Sequence, residues 1–144
     1  MTKHTDTVAL IGRIFLAVLF LLSGFGKLAA PAATQAYIAA MGLPAPTLAY
    51  LGSTAVELIG SVLLIVGFRV RPVAVGMAVF TLLTAVFFHR DFADQNQMIH
   101  FMKNIAIIGG LLQVVALGGG KFSVDSLLAG RPGVPALSGL QTAR

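Results

Sequence analysis

An apolar run from Leu48 to Phe68 carries one charged residue, Glu57. A helix needs about 20 such residues to cross the hydrocarbon core of a bilayer, and this run has that length. An ionised carboxylate near the centre of a bilayer costs on the order of 2–3 kcal/mol or more. We therefore expect Glu57 to face protein, water or a cation, and we expect the rest of the chain to form a bundle around it.

The composition of the 144-residue chain agrees with a membrane location, because hydrophobic residues make up 57% of it and charged residues 10%. Lipid can cover this much apolar surface, whereas a soluble core of this size cannot. The net charge of +5 comes from basic residues scattered at the ends of apolar runs, so nucleic-acid binding is not indicated. Cysteine is absent from the sequence, which excludes disulfides and thiolate chemistry.

Four apolar runs predict membrane-spanning helices at about residues 8–28, 48–68, 72–89 and 98–118. The connection between the first two runs predicts a short helix that begins at Pro31, ends before Gly42 and cannot cross the bilayer. The predicted fold class is therefore all-α. It is an integral membrane four-helix bundle over residues 8–120, with a short interfacial or re-entrant helix between spans 1 and 2.

Two tails flank the predicted bundle. Residues 1–7 form the first, and residues 121–144 form a second that is predicted to be flexible because it is rich in Gly, Pro and Ser. An even number of spans puts both tails on one side of the membrane, and most basic residues fall on that side. The positive-inside rule predicts that this side is the cytoplasm.

Helical geometry, at about 100° per residue, indicates which ionisable residues share a face within each span. The shared faces hold Arg13 and Lys27 in span 1, Tyr50 and Glu57 in span 2, and His100, Lys103 and Asn104 in span 4. We expect Arg13 and Lys103 to neutralise Glu57, together in one network or singly, whereas Lys27 can also reach the headgroups. Two interpretations stay open: such a pair fixes helix register, or it lines a ligand cavity.

Two histidines near the ends of the spans, His89 and His100, are candidates for proton transfer because imidazole titrates near neutrality. Plain hydrogen bonding is the alternative role. Their spacing with Asp91 and Asp94 matches no established metal signature, so no metal site is predicted. No strand precedes any of the glycine pairs, so flavin and nicotinamide motifs are not indicated.

A set of short motifs follows in order along residues 10–120. They are Arg13 with Gly-Phe-Gly-Lys27, Met-Gly-Leu-Pro at 41–44, Glu57 with Gly60 and Val66-Gly-Phe68, Phe88-His89, and Lys103-Asn104 with Gly-Gly-Leu-Leu at 109–112. This ordered set resembles the DoxX family of small four-helix bacterial membrane proteins. The resemblance implies an inner-membrane protein, and some relatives in the family are associated with quinone-linked oxidation of sulfur compounds or with redox-stress complexes.

The expected function is that of a subunit in a quinone-linked or other redox-associated membrane complex. Glu57 and His89 are the candidate catalytic residues, as groups that handle protons. The candidate ligand-binding residues are Arg13, Lys27, Tyr50, His100, Lys103 and Asn104. Apolar walls with a few convergent polar groups suit a quinone headgroup, the expected cofactor.

The expected partners are the lipid bilayer, other membrane or redox subunits, and a second copy of the chain. Two alternatives stay open. One is a non-catalytic membrane scaffold, and the other is a small-solute carrier, which the lack of a visible inverted repeat makes less favoured.

Overall fold

The computed structural model describes residues 3–130, and within that range every regular element is a helix. In chain order the helices are α1 (Lys3–Ala29), α2 (Pro31–Ala40), α3 (Pro46–Val66), α4 (Val70–Phe88), α5 (Gln95–Leu117) and α6 (Val124–Ala129). Four of them, α1, α3, α4 and α5, are long and apolar enough to cross a membrane. The predicted all-α bundle with a short helix between the first two spans is confirmed.

Local sequence signals explain where the long helices begin and end. Pro46 is in the first turn of α3, where its missing N–H is not needed. Gly67 ends the same helix with φ of 72°, a left-handed conformation that favours glycine, and its N–H donates to the Leu63 carbonyl. Asp94 caps α5, since its side chain accepts hydrogen bonds from the N–H groups of Asn96 and Gln97.

In space the spanning helices are neighbours in the order α1, α3, α4, α5, and α1 also contacts α5. Small residues let them approach closely, as is usual in membrane bundles. A Cβ atom on Gly24 of α1 would lie 2.7 Å from Leu58, and one on Gly60 of α3 would lie 2.9 Å from the Met77 sulfur. The buried core holds Ala17, Phe20, Leu64, Val70, Ala74, Met77, Ala78 and Leu111, while many large apolar side chains face outward, where lipid covers them.

The bundle has two ends. Helix α2 follows directly after α1 at one of them, which we call the α2 end, and we call the other the α6 end. The α6 end differs from expectation in both tails. Helix α1 already begins at Lys3, and the carboxylate of Asp6, expected to lie in a tail, is 1% exposed and accepts a hydrogen bond from the Lys121 N–H.

The second tail was expected to be flexible from residue 121, yet residues 121–130 turn back onto the bundle. Ser123 caps α6 through its hydroxyl, and both carboxylate oxygens of Asp125 accept N–H groups at the start of α4, from Arg69 and Val70. These bonds hold the segment in place. Residues 131–144 of that tail, and residues 1–2, lie outside the described range.

Candidate functional site

A buried ion pair joins α1 to α3 towards the α2 end of the bundle. The Nζ atom of Lys27 lies 2.6 Å from Oε1 and 2.7 Å from Oε2 of Glu57. The hydroxyl of Ser23, one turn before Lys27 on the same face of α1, donates to Oε1 of Glu57 at 3.1 Å and lies 2.9 Å from the Lys27 nitrogen. The three side chains thus form one hydrogen-bonded group.

Because the Lys27 and Glu57 charges are largely shielded from water, the attraction between them is strong. The Glu57 side chain is 6% exposed and the Lys27 side chain 22%. Removing a charge from water costs several kcal/mol, roughly, and only a close partner with further hydrogen bonds offsets that cost. Lys27 and Ser23 provide such partners, so Glu57 is held as a paired carboxylate inside an apolar bundle.

A cavity of about 470 Å³ lies beside the ion pair. Its volume is within the range of roughly 300–1,000 Å³ that is usual for small-molecule sites. Polar side chains from four of the helices, together with His89, contribute to its lining: Ser23, Lys27, Thr34, Ser53, Glu57, Thr84 and His89. The remaining lining is apolar or aromatic apart from the Tyr37 hydroxyl, so the ion pair sits at one place in a largely apolar chamber.

Helix α2 covers this chamber. Ile38 is 3% exposed and lines the cavity, and the ring of Tyr37 stacks on Phe88 of α4 with centroids 5.6 Å apart. The Thr47 hydroxyl, at the start of α3, donates to Oε1 of Gln35 at 2.7 Å. These contacts fix α2 over the gap between α3 and α4, which explains why a helix too short to span the membrane is part of the fold.

His89 lies at the edge of the same cavity, where α4 ends. Its Nδ1 is 3.0 Å from the amide oxygen of Gln97, and its ring stacks on His100 with centroids 5.0 Å apart. An amide oxygen only accepts, so this contact has the His89 nitrogen as the donor. Glu57 and His89, the two candidate catalytic residues, therefore line the same chamber. His100 contacts His89 and is not itself part of the lining.

The other predicted ligand-binding residues occupy different places. Tyr50 is 8% exposed, on the same face of α3 as Glu57, and is not among the residues that line the cavity. Lys103 is exposed and Asn104 half-buried on α5, and neither lines the cavity in the described part of the chain. The prediction that Lys103 would neutralise Glu57 is wrong, because Lys27 takes that position.

Arg13 was also predicted to reach Glu57, and this prediction is wrong as well. Its guanidinium donates to three backbone carbonyls at the α6 end: Leu64 at 2.9 Å, Ile65 at 3.3 Å and Phe122 at 2.5 Å. Arg13 and Lys27 share a face of α1, but 14 residues of helix put about 21 Å between them, too far for both to meet Glu57. Arg13 instead satisfies the last carbonyls of α3, which have no partner within the helix.

Two contributors to the chamber were missed in the sequence. Ser23 precedes Lys27 by four residues, and that spacing on a helix was the available signal. The residues of α2 gave a weaker one, because a short Ala-rich helix predicted to be interfacial or re-entrant can lie over any gap in the bundle. Which gap it covers depends on the packing of α3 against α4.

Four helices long and apolar enough to cross a membrane, three of which line a cavity beside an ion pair, define a small polytopic α-helical membrane protein. A model of the DoxX family matches residues 8–90, which include the first three spans. Inner membrane protein YqjF of Escherichia coli (strain K12) is 40% identical over 128 residues, covering 89% of this chain and 97% of that protein. Inner membrane protein YphA of the same organism is 36% identical over 122 residues, covering 81% of this chain and 86% of that protein.

The chain belongs to the DoxX family and is an inner membrane protein. No solved structure matches it.

Proposed function

We propose that this protein binds a lipid-soluble molecule with a small polar headgroup, a quinone being the expected class, as a subunit of a redox assembly in the inner membrane. One observation carries the proposal. The Lys27–Glu57 pair, buried at 22% and 6% side-chain exposure, borders an apolar chamber of about 470 Å³ instead of being packed on all sides. Ionisable groups in membrane interiors that face a cavity are typical of ligand or proton sites.

The residues present fit such a headgroup. Glu57 uses three of its roughly four acceptor positions on Lys27 and Ser23, which leaves capacity to accept a hydrogen bond from a hydroxyl. The Lys27 ammonium balances the charge of the Glu57 carboxylate and places positive charge beside the chamber. Tyr37, Phe87 and Phe88 line it with aromatic rings, which suit a planar ring system.

When bound, a quinone would supply electron and proton transfer. On the protein side, Glu57 and His89 line the chamber and are the residues that we propose for proton transfer. A redox partner protein would deliver the electrons. The proposed topology has both termini in the cytoplasm, supported by Arg69, Arg71 and Lys121 at the α6 end.

The test is the replacement Glu57→Gln, which keeps the size of the side chain and removes its charge. We expect binding of the reduced quinone, whose hydroxyl donates to the carboxylate, to fall by about tenfold, because hydrogen bonds to charged groups contribute about 1.5–3 kcal/mol. The measurement is lipid extraction and mass spectrometry of protein purified from native membranes, with titration of a quinol into the protein in nanodiscs. The matched control is Asp91→Asn, the same chemical change in the exposed loop after α4, which should leave binding unchanged.

Equal quinone content in the wild type and the Glu57→Gln variant would overturn the proposal. It would favour a second candidate, a non-catalytic membrane scaffold, for which one observation also speaks. Lys27, Ser23 and Glu57 satisfy one another's main hydrogen bonds, as expected of a pair that locks α1 against α3. A scaffold predicts that Glu57→Gln lowers thermal stability and recovery of partner subunits, without any change in bound small molecules.

A further inference from the structure

A second cavity lies on the outside of the bundle, along the seam between α3 and α4. It has a volume of about 340 Å³. Its lining consists of apolar residues and glycines, from Ala55 to Leu63 on α3 and from Pro72 to Met77 on α4: Ala55, Val56, Ile59, Gly60, Leu63, Pro72, Val73, Gly76 and Met77. We call these nine residues the seam groove.

The seam groove lies beside the chamber along α3 and α4, although the two cavities share none of their lining residues. On α3 the chamber residues Ser53 and Glu57 are each followed about one turn later by a groove residue, Val56 and Gly60. On α4 the chamber begins at Phe80, one turn from Met77 in the groove. From Ala55 to Leu63 the groove runs about 12 Å along the helix axis, away from the ion pair.

The groove is open to the surrounding lipid. Ile59 is 60% exposed on its wall. Gly76 is exposed as well, and a Cβ atom there would meet no atom within 4 Å. At the floor, Gly60 lets α3 approach Met77, because a Cβ atom at that position would lie 2.9 Å from the Met77 sulfur. The two glycines therefore give the groove its depth and its open side.

We propose that the seam groove holds the apolar tail of the ligand whose headgroup occupies the chamber. The inference rests on the proposed function and extends it, since it makes the ligand an amphiphile with at least one long apolar chain. Such a molecule enters sideways from the bilayer between α3 and α4. Its head reaches Lys27 and Glu57, and its tail stays in the groove with no polar side chain to desolvate.

In this arrangement the chamber and the seam groove have different roles in binding. Lipid tails are as apolar as the groove, so the tail gains little from leaving the bilayer, and packing against fixed walls provides the attraction. The polar chamber end selects the headgroup. The groove selects molecules whose chain leaves the headgroup along the membrane normal.

The test uses a benzoquinone with a long alkyl chain that ends in a photoreactive diazirine, added to the full-length protein in nanodiscs. After illumination, mass spectrometry of peptides locates the attachment. We expect labelling on 55–63 of α3 and 72–77 of α4, competed by the unlabelled long-chain quinone. Labelling spread over the outward faces of α1 and α5, without competition, would overturn the inference.

A matched pair of variants provides the second measurement. Gly76→Phe fills the groove, and Gly109→Phe places the same side chain on α5, where a Cβ atom likewise meets nothing within 4 Å and whose described residues line neither cavity. We expect Gly76→Phe to weaken binding of the long-chain quinone by about tenfold, equivalent to about 1.4 kcal/mol, and to leave a quinone without the chain unaffected. Gly109→Phe should change neither.

The outcomes separate the two proposals. If the chainless quinone binds in a Glu57-dependent way while the chain labels sites outside the groove, the seam inference fails and the proposed function stands. An equal effect of both phenylalanine variants also overturns the inference. If neither quinone binds the wild-type protein, both proposals fail. Labelling by an ordinary photoreactive phospholipid at the same residues, undiminished by the quinone, would make the groove a general lipid site and overturn the inference.

Discussion

Arg13 and Lys27 are both cations of α1 that lie inside the bundle, yet the two ends of the helix use them differently. At the α6 end, Arg13 is 1% exposed and donates to carbonyls of α3 and of the segment before α6. At the α2 end, Lys27 pairs with a carboxylate beside a chamber. Arg13 donates hydrogen bonds to backbone carbonyls where the chain is tightly packed, and Lys27 faces space that a ligand could occupy.

Burial of a charge therefore does not by itself indicate function. Arg13 is the more deeply buried of the two, but its five donors suit fixed carbonyl groups, and it connects three parts of the chain. Lys27 is less buried, and its compact ammonium is balanced by a single residue that lines the chamber. The surroundings of each cation, and not its depth, separate a structural contact from a candidate site.

The largest expected effect comes from Arg13→Met. The change leaves the carbonyls of Leu64, Ile65 and Phe122 without their donor, so we expect the free energy of unfolding to fall by about 3–5 kcal/mol. Thermal and denaturant unfolding in detergent measure this. The comparison between the two ends fails if Arg13→Met is as stable as the wild type but loses ligand binding.

A smaller effect is expected from Lys27→Met. Glu57 loses its cation but remains next to the chamber, where water or a proton can compensate, so the expected loss is about 2 kcal/mol. The double variant Lys27→Met with Glu57→Leu should recover most of it, since an apolar pair replaces an ion pair. A double variant that is as unstable as the single one would contradict the assignment of the loss to an unpaired carboxylate. The same unfolding measurement decides between them.

The smallest effect is expected from Asp125→Ala. The N–H groups of Arg69 and Val70 lose their cap, which costs about 1 kcal/mol, and Asp125→Asn should keep most of that stability. Limited proteolysis should cut the chain near residue 125 faster in the alanine variant. Unchanged cleavage and stability would mean that the cap does not hold α6 to the bundle.

The helical spans were predictable because their limits are chemical. Apolar runs end where Arg69 and Arg71 precede a proline and where three glycines follow Leu117, and the helices overlap the predicted spans at each place. That Glu57 would be sheltered also followed from the cost of a carboxylate in lipid. Its 6% side-chain exposure agrees with this.

The partner of Glu57 could not be chosen from the sequence. Helix periodicity gives the helix face on which each cation lies. The rotation of α1 against α3 and the depth of each residue decide which cation lies next to Glu57. Helix α6 was missed for another reason: the glycines at 118–120 and the Gly- and Pro-rich residues beyond 129 are typical of a flexible tail. The signal was local, with Ser123 as a helix cap and Asp125 in the first turn after it.

The contact between Arg13 and the Phe122 carbonyl joins residues 109 positions apart, near opposite ends of the described chain. While the ribosome is still adding the later spans, the first helix is already in the bilayer with a guanidinium whose third acceptor does not yet exist. The bundle can close at this end only after residue 122 has left the exit tunnel, so a nascent chain stalled before that point holds an incompletely satisfied arginine in the membrane.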